Sequence, residues 1–146
     1  SVDKGKNSGL IKFNNKIIYN SDDGVFSYNY ELNKFELDTI MSSIYKDKGS
    51  YISGKMVEDE SKNLWFFTES GIGYFSKGLF NEQPYYTNIA IPSALRHSVI
   101  GYESIFQLDK EKYLLGTTNG YILIDKSALK KYKNNTFTTY KEQLVL

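Results

Sequence analysis

Two adjacent side chains are the best candidates for binding a small polar ligand. Arg96 is the only arginine and His97 is the only histidine of the 146-residue chain. A guanidinium group is a planar fork of N–H donors that matches a carboxylate or a sulfate. Tyr85 and Tyr86 lie slightly earlier in the sequence and carry aromatic surface. We therefore predict that these four residues form a small polar and aromatic recognition patch, although a lone histidine in a polar loop is more often an ordinary surface residue.

Two groups of carboxylates offer a different chemistry, namely calcium binding or general acid–base catalysis. They are Asp22–Asp23 and Glu58–Glu60. The first group lies in a predicted hairpin turn, where Asp is favoured because it bonds nearby backbone groups. The spacing of a calcium-binding loop is absent, as are the common hydrolase, nucleotide and zinc motifs. We predict no catalytic residue, no metal site and no cofactor.

The elements that position these residues follow a pattern that occurs three times. Residues 16–26, 63–73 and 112–122 each read as a strand, a polar turn with a glycine, and a second strand. The glycines recur at a spacing of roughly 50 residues, a period typical of stacked or radial β arrays. Each glycine is predicted to supply the positive φ of its turn; they are Gly24, Gly71 and Gly120.

The repeat extends to further residues whose predicted role is structural. Thr68 and Thr117 occupy the same position before their turns, where they are expected to bond the backbone or a neighbouring unit. Trp65 is expected to pack between units, because burying so large an aromatic side chain stabilises by roughly 1.5–3 kcal/mol.

Hydrophobic alternation predicts an all-β chain of about three four-stranded antiparallel units, as in a partial or fragmentary β-propeller. The units span about 10–37, 53–89 and 103–133. Residues 134–146 are predicted to form a final strand or the start of a β-sandwich. Residues 90–97 are predicted to be a long loop between units. Residues 124–132 are predicted to hold one helical turn at most, capped by Asp125 or Ser127.

The second unit resembles a known family of repeats. Residues 58–72 are similar to the D-x-x-G-x-x-W-x-x-T-x-x-G signature of two-component regulator propeller repeats, and residues 115–122 are similar to its second half. The resemblance extends over about residues 11–124. It implies the periplasmic sensor region of a bacterial hybrid histidine kinase or membrane-linked transcription regulator. It also implies that a β-sandwich with three spaced tyrosines follows, at about 136–146.

Composition narrows the remaining classes of function. The thirteen Tyr and nine Phe favour strands, and the net charge of +1 gives no basic surface for nucleic acid. Without cysteine, disulfides and thiolate chemistry are excluded. No apolar run reaches the roughly 18 residues that span a bilayer. The chain starts at Ser1 without Met, from which we expect an excised domain or a processed product. The resemblance implies that the parent protein is membrane-anchored.

The resemblance implies non-catalytic sensing of a small molecule or an oligosaccharide in signal transduction. Two alternatives stay open, a structural or protein-interaction propeller module and a fragment of a propeller enzyme that acts on glycans. Three units leave exposed strand edges, so self-association or packing against further blades is also expected.

Overall fold

The part of the chain that the structure describes folds into three antiparallel β-sheets that follow one another along the sequence. The computed structural model describes residues 7–47, 51–76, 85–97 and 99–131. The strands of the first sheet are β1 (Gly9–Phe13), β2 (Lys16–Ser21), β3 (Gly24–Asn29) and β4 (Lys34–Leu37). Those of the second are β5 (Tyr51–Glu58), β6 (Leu64–Thr68), β7 (Gly71–Ser76) and β8 (Tyr85–Ala90). Those of the third are β9 (Ile105–Gln107), β10 (Lys112–Thr117) and β11 (Gly120–Asp125).

Each sheet is a meander in which consecutive strands are neighbours. The prediction of an all-β chain is therefore confirmed, and the predicted strand pairs match the observed ones to within a few residues. The third sheet has three strands among the described residues. Residues 134–146, predicted as a strand or the start of a sandwich, lie outside the described residues.

The central hairpin of every sheet closes in the same register. A serine or threonine faces a glycine across a two-residue loop in each case, in the pairs Ser21–Gly24, Thr68–Gly71 and Thr117–Gly120. The three glycines have φ values of +130°, +159° and +138°. Residues with a Cβ seldom adopt such values, so the glycine is what allows each hairpin to close in this form.

The sheets stack face to face, with the second between the first and the third. Side chains of β6 alternate between its two faces because successive residues of a strand point to opposite sides. Leu64 and Phe66 belong to the core shared with the first sheet. Trp65 and Phe67 belong to the core shared with the third sheet. One strand thus contributes to both cores, which explains why all five of its residues are buried.

Two short helices after the first sheet were missed by the sequence analysis. They are α1 (Thr39–Ser42) and α2 (Ile44–Asp47). Asp38 caps α1 by accepting the backbone N–H of Met41 at 2.9 Å. Met41 and Ile44 are buried in the core between the first and second sheets. Four-residue helices are too short to show a helical period in sequence, and here burial holds them in place.

Helix α3 (Lys126–Lys131) follows the third sheet and begins at the predicted cap. Asp125 accepts the backbone N–H groups of Ser127 and Ala128 at 2.9 and 3.3 Å. The limit of one helical turn was wrong, since α3 has six residues. The predicted loop at 90–97 contains a short 3-10 helix, Ser93–Leu95.

The described residues contain no closed ring of sheets, so the propeller interpretation stays a prediction.

Candidate functional site

A buried carboxylate joins the second sheet to the third. Asp59 follows β5, and its Oδ2 accepts hydrogen bonds from the Trp65 indole N–H and the Tyr113 hydroxyl, both at 2.8 Å. The backbone and side-chain N–H groups of Asn63 complete the set, each at 2.8 Å. The rings of Trp65 and Tyr113 pack with centroids 4.9 Å apart. Trp65 therefore lies between two sheets, where packing alone accounts for it.

The hydrogen bonds decide the charge state of this carboxylate. Burial by itself would raise the pKa of Asp59, but the donors of Trp65, Asn63 and Tyr113 together hold it below its ordinary value. Burial raises the pKa of Tyr113, and its bond to Asp59 adds to that rise. Asp59 is consequently an ionised acceptor with all its donors in place, and this arrangement is structural.

The segment that carries Arg96 and His97 spans two hairpin turns at the edge of the same two sheets. The Arg96 guanidinium donates from Nη1 to the backbone oxygen of Glu69, in the turn between β6 and β7. The His97 backbone oxygen accepts the N–H of Thr118 at 2.7 Å, in the turn between β10 and β11. These two contacts fix the segment above the gap between the second and third sheets.

A cavity of about 220 Å³ opens beneath this segment. Its apolar wall comes from both sheets and includes Phe67, Ile72, Ile91 and Leu115. Its polar wall includes Thr68, Thr117, Arg96, His97, Glu69 and Glu103. A concave apolar pocket with a few convergent polar groups is the usual form of a small-molecule site.

Glu103 is the most unusual group in this wall. The residue is 3% exposed. Its Oε2 accepts the Ser53 hydroxyl at 3.0 Å and the Gly101 N–H at 2.9 Å. Its Oε1 is buried and has no hydrogen-bond partner among the described residues. A buried acceptor without a donor carries a desolvation penalty that a ligand hydroxyl or ammonium group would relieve.

Sequence reasoning did not single out Glu103, although a signal existed. Two residues before the paired positions Ile105 and Leu10, the sequence has Glu103 in the third unit and Ser8 in the first. An acid at a position that holds a small uncharged residue in the first unit breaks the repeat. Such a break marks a residue that the repeated fold does not require.

The predicted four-residue patch is divided by the second sheet. Tyr86 packs against the core between the first and second sheets, with its ring 5.0 Å from that of Phe75. Burial raises the pKa of Tyr86 to about 12. Arg96 and His97 lie at the cavity between the second and third sheets. The backbone of Tyr85 pairs with Ser76 in β8, and its side chain is outside the described residues. The structure therefore does not bring Tyr86 together with Arg96 and His97.

The repeated threonine has two roles. The Thr68 hydroxyl donates to the Gly71 carbonyl at 3.3 Å, as Ser21 does to Gly24 at 3.5 Å in the first sheet. This bond closes the hairpin and belongs to the repeat. Thr68 and Thr117 also line the cavity, so the ends of two equivalent hairpins form one side of the candidate site.

Within the described residues, no group of three or more His, Cys, Asp or Glu side chains is arranged to hold a metal ion. None of the helices in this part of the chain has the length and apolar character needed to cross a membrane. Comparison with family models, with curated proteins and with solved structures gives no match to this chain.

Proposed function

We propose that the chain is a non-catalytic ligand-sensing segment of a β-propeller, from a membrane-linked bacterial signal-transduction regulator. The ligand is a small molecule or part of an oligosaccharide, bound in the cavity between the second and third sheets. Two features support this function, the repeated stacking of antiparallel sheets and the resemblance of residues 58–72 to the regulator propeller repeat.

One observation carries the binding part of the proposal. The buried Oε1 of Glu103 lacks a partner within the described residues, and Glu103 lines a cavity that Arg96 also lines. The cavity thus presents an acceptor that needs a donor, and a cation with several N–H donors. A ligand with a hydroxyl or ammonium group at one end and an anionic group at the other would satisfy both.

The position of the cavity supplies a mechanism for signalling. Its walls come from two sheets, and the segment above it is bonded to the turns at Glu69 and Thr118. A ligand that binds one relative arrangement of the sheets more tightly shifts the population toward that arrangement. In a periplasmic sensor, that shift would be transmitted to an output domain across the membrane.

Binding is tested with the full chain and a panel of monosaccharides, uronic acids, sulfated sugars and short oligosaccharides. A thermal-shift screen selects binders, and calorimetry then gives the dissociation constant. Arg96→Ala and Glu103→Gln are each expected to weaken binding by about tenfold or more, because a hydrogen bond to a charged group contributes roughly 1.5–3 kcal/mol. Lys34→Ala is the matched control, since Lys34 is an exposed cation on β4 of the first sheet.

The outcomes separate the possibilities clearly. Unchanged affinity in both cavity variants would place the ligand elsewhere on the chain. A screen in which no compound raises the melting temperature would contradict the proposal that the chain senses a ligand of these classes. The signalling role has its own check, the encoding reading frame, because a parent without a membrane span and an output domain would contradict it.

A protein-interaction module is the second candidate function. It is favoured by large apolar side chains exposed on the outer sheets, including Leu10 and Phe106. Exposed apolar patches of this kind mark interaction surfaces. Binding of a macromolecular partner that is unaffected by Arg96→Ala would favour this candidate over ligand sensing.

A further inference from the structure

The two contacts between neighbouring sheets use the same pair of faces. The forward face is defined here by the residue three positions before the closing Ser or Thr of each hairpin: Ile18, Trp65 and Leu114. The back face is defined by the residue two positions before it: Tyr19, Phe66 and Leu115. Adjacent strand residues point to opposite sides, so these are opposite faces of each sheet.

The core assignments show which faces meet. Ile18 and Phe66 lie in one core, so the forward face of the first sheet packs on the back face of the second. Trp65 and Leu115 lie in the other core, so the forward face of the second sheet packs on the back face of the third. The contact is head to tail, and it occurs twice with equivalent residues.

Two faces remain without this contact among the described residues, the back face of the first sheet and the forward face of the third. Burial at equivalent positions reveals the difference. Met56 and Ile105 on the back faces of the second and third sheets are each 8% exposed, whereas their counterpart Leu10 is 65% exposed. Phe106 on the open forward face is 66% exposed, and its counterparts Ile11 and Val57 pack against the cores.

The open faces have the composition of the closed ones. The back face of the first sheet carries packed aromatic rings, with Tyr19 centred 6.3 Å from Phe26 and 5.7 Å from Phe35. On the forward face of the third sheet, Leu114 pairs with both Phe106 and Leu123. Both surfaces are apolar across adjacent strands, as expected of a sheet that packs on another sheet.

We propose that these faces bind a second copy of the chain. The forward face of the third sheet in each copy packs on the back face of the first sheet in the other, which repeats the internal contact twice more. A head-to-tail contact closes into a ring or extends as a filament. Rings of about four to eight such sheets occur. The described residues of two copies supply six sheets, which would close within that range, whereas the nine sheets of three copies would exceed it.

The test is the mass of the full chain in solution, measured by sedimentation equilibrium over a range of concentrations. The expected result is twice the mass of one chain, without larger species as concentration rises. Leu10→Lys and Phe106→Glu each place a charge in both contacts and are expected to weaken the dimer by at least about tenfold. Both side chains are exposed in a single copy, so each copy keeps its fold, which circular dichroism verifies.

Leu32→Lys is the matched control because Leu32 is 57% exposed but lies in the turn between β3 and β4. It is expected to leave the mass unchanged. An equimolar mixture of Leu10→Lys and Phe106→Glu distinguishes the head-to-tail arrangement. One contact in the mixed pair joins two unchanged faces, and the other joins Lys to Glu. The mixture should therefore associate more tightly than either variant alone.

Three results would overturn the proposal. A chain that stays monomeric at its highest soluble concentration would show that its copies do not cover the faces. A mass that grows steadily with concentration would contradict closure into a ring. A mixture that associates no better than its components would indicate contact between like faces. None of these results depends on ligand binding at the cavity, so failure here is distinct from failure of the sensing function.

Discussion

The hydroxyl of Tyr113 in the third sheet donates to Oδ2 of Asp59 in the second sheet at 2.8 Å. The same oxygen accepts the indole N–H of Trp65 at 2.8 Å. All three residues are buried. One carboxylate oxygen thus links the second sheet to the third. The cavity between these two sheets is the candidate ligand site.

Replacing Tyr113 with Phe should lower the free energy of unfolding by about 1–3 kcal/mol, because Asp59 loses one of its buried donors while the ring is kept. Urea denaturation followed by Trp65 fluorescence measures the change. Tyr102→Phe is the control, since Tyr102 is exposed and should change stability by no more than about 0.5 kcal/mol. Equal stability of the two variants would mean that the bond to Asp59 contributes nothing.

Acid should destabilise the protein through Asp59. Its hydrogen bonds hold its folded-state pKa below the ordinary Asp value of about 3.9. A lowered folded-state pKa gives stability that is present above the unfolded-state pKa and is lost as pH falls through the folded-state value. The unfolding free energy of the wild type should therefore decrease below about pH 4.

Asp59→Asn isolates this contribution. The variant should be less stable at neutral pH, because an amide replaces one acceptor oxygen with an NH2 group, which donates hydrogen bonds and does not accept them. Its stability should also fall less steeply between neutral and acidic pH. Urea titrations of both proteins across that range give the two slopes. Parallel slopes would assign the acid sensitivity to other carboxyl groups.

The glycine turns permit a test that separates backbone strain from crowding. A Cβ at Gly120 would meet no atom within 4 Å, so Gly120→Ala tests the φ of +138° alone. We expect a loss of about 1–2 kcal/mol. A Cβ at Gly24 would also approach Leu37 Cδ1 and Ser42 Oγ at 3.0 Å, so Gly24→Ala should lose more.

Thermal or urea unfolding of both alanine variants measures these losses. Thr118→Ala, an exposed change in the same turn as Gly120, serves as the reference for a neutral substitution. A stable Gly120→Ala variant would show that the turn can adopt a negative φ. Equal losses at the two glycines would show that the contacts near Gly24 adjust without penalty.

Local signals in the sequence predicted the three sheets. A glycine with positive φ follows each two-residue loop, and alternating apolar residues flank it, as at Gly71 between Phe67 and Phe75. These signals act between residues that are close in the chain, so sequence alone specified the hairpins and their repeat. Helices α1 and α2 escaped prediction because their stability comes from burial of Met41 and Ile44 between sheets.

The candidate site followed only in part from the sequence. Arg96 and His97 were identified by their rarity, and both line the cavity. Tyr86 was placed with them because it is near in sequence, yet a β-strand directs it to the opposite side of the second sheet. Glu103 was overlooked because its partner Ser53 lies 50 residues away and its burial depends on that contact.

The sequence by itself therefore determined the repeated antiparallel hairpins, since turn chemistry and two-residue alternation are local properties. Only the tertiary structure decided which faces meet, which polar groups share a cavity and which apolar surfaces remain exposed. Those properties depend on how one sheet packs on the next. That packing joins residues that are far apart in the chain, such as Asp59 and Tyr113, which are separated by 54 positions.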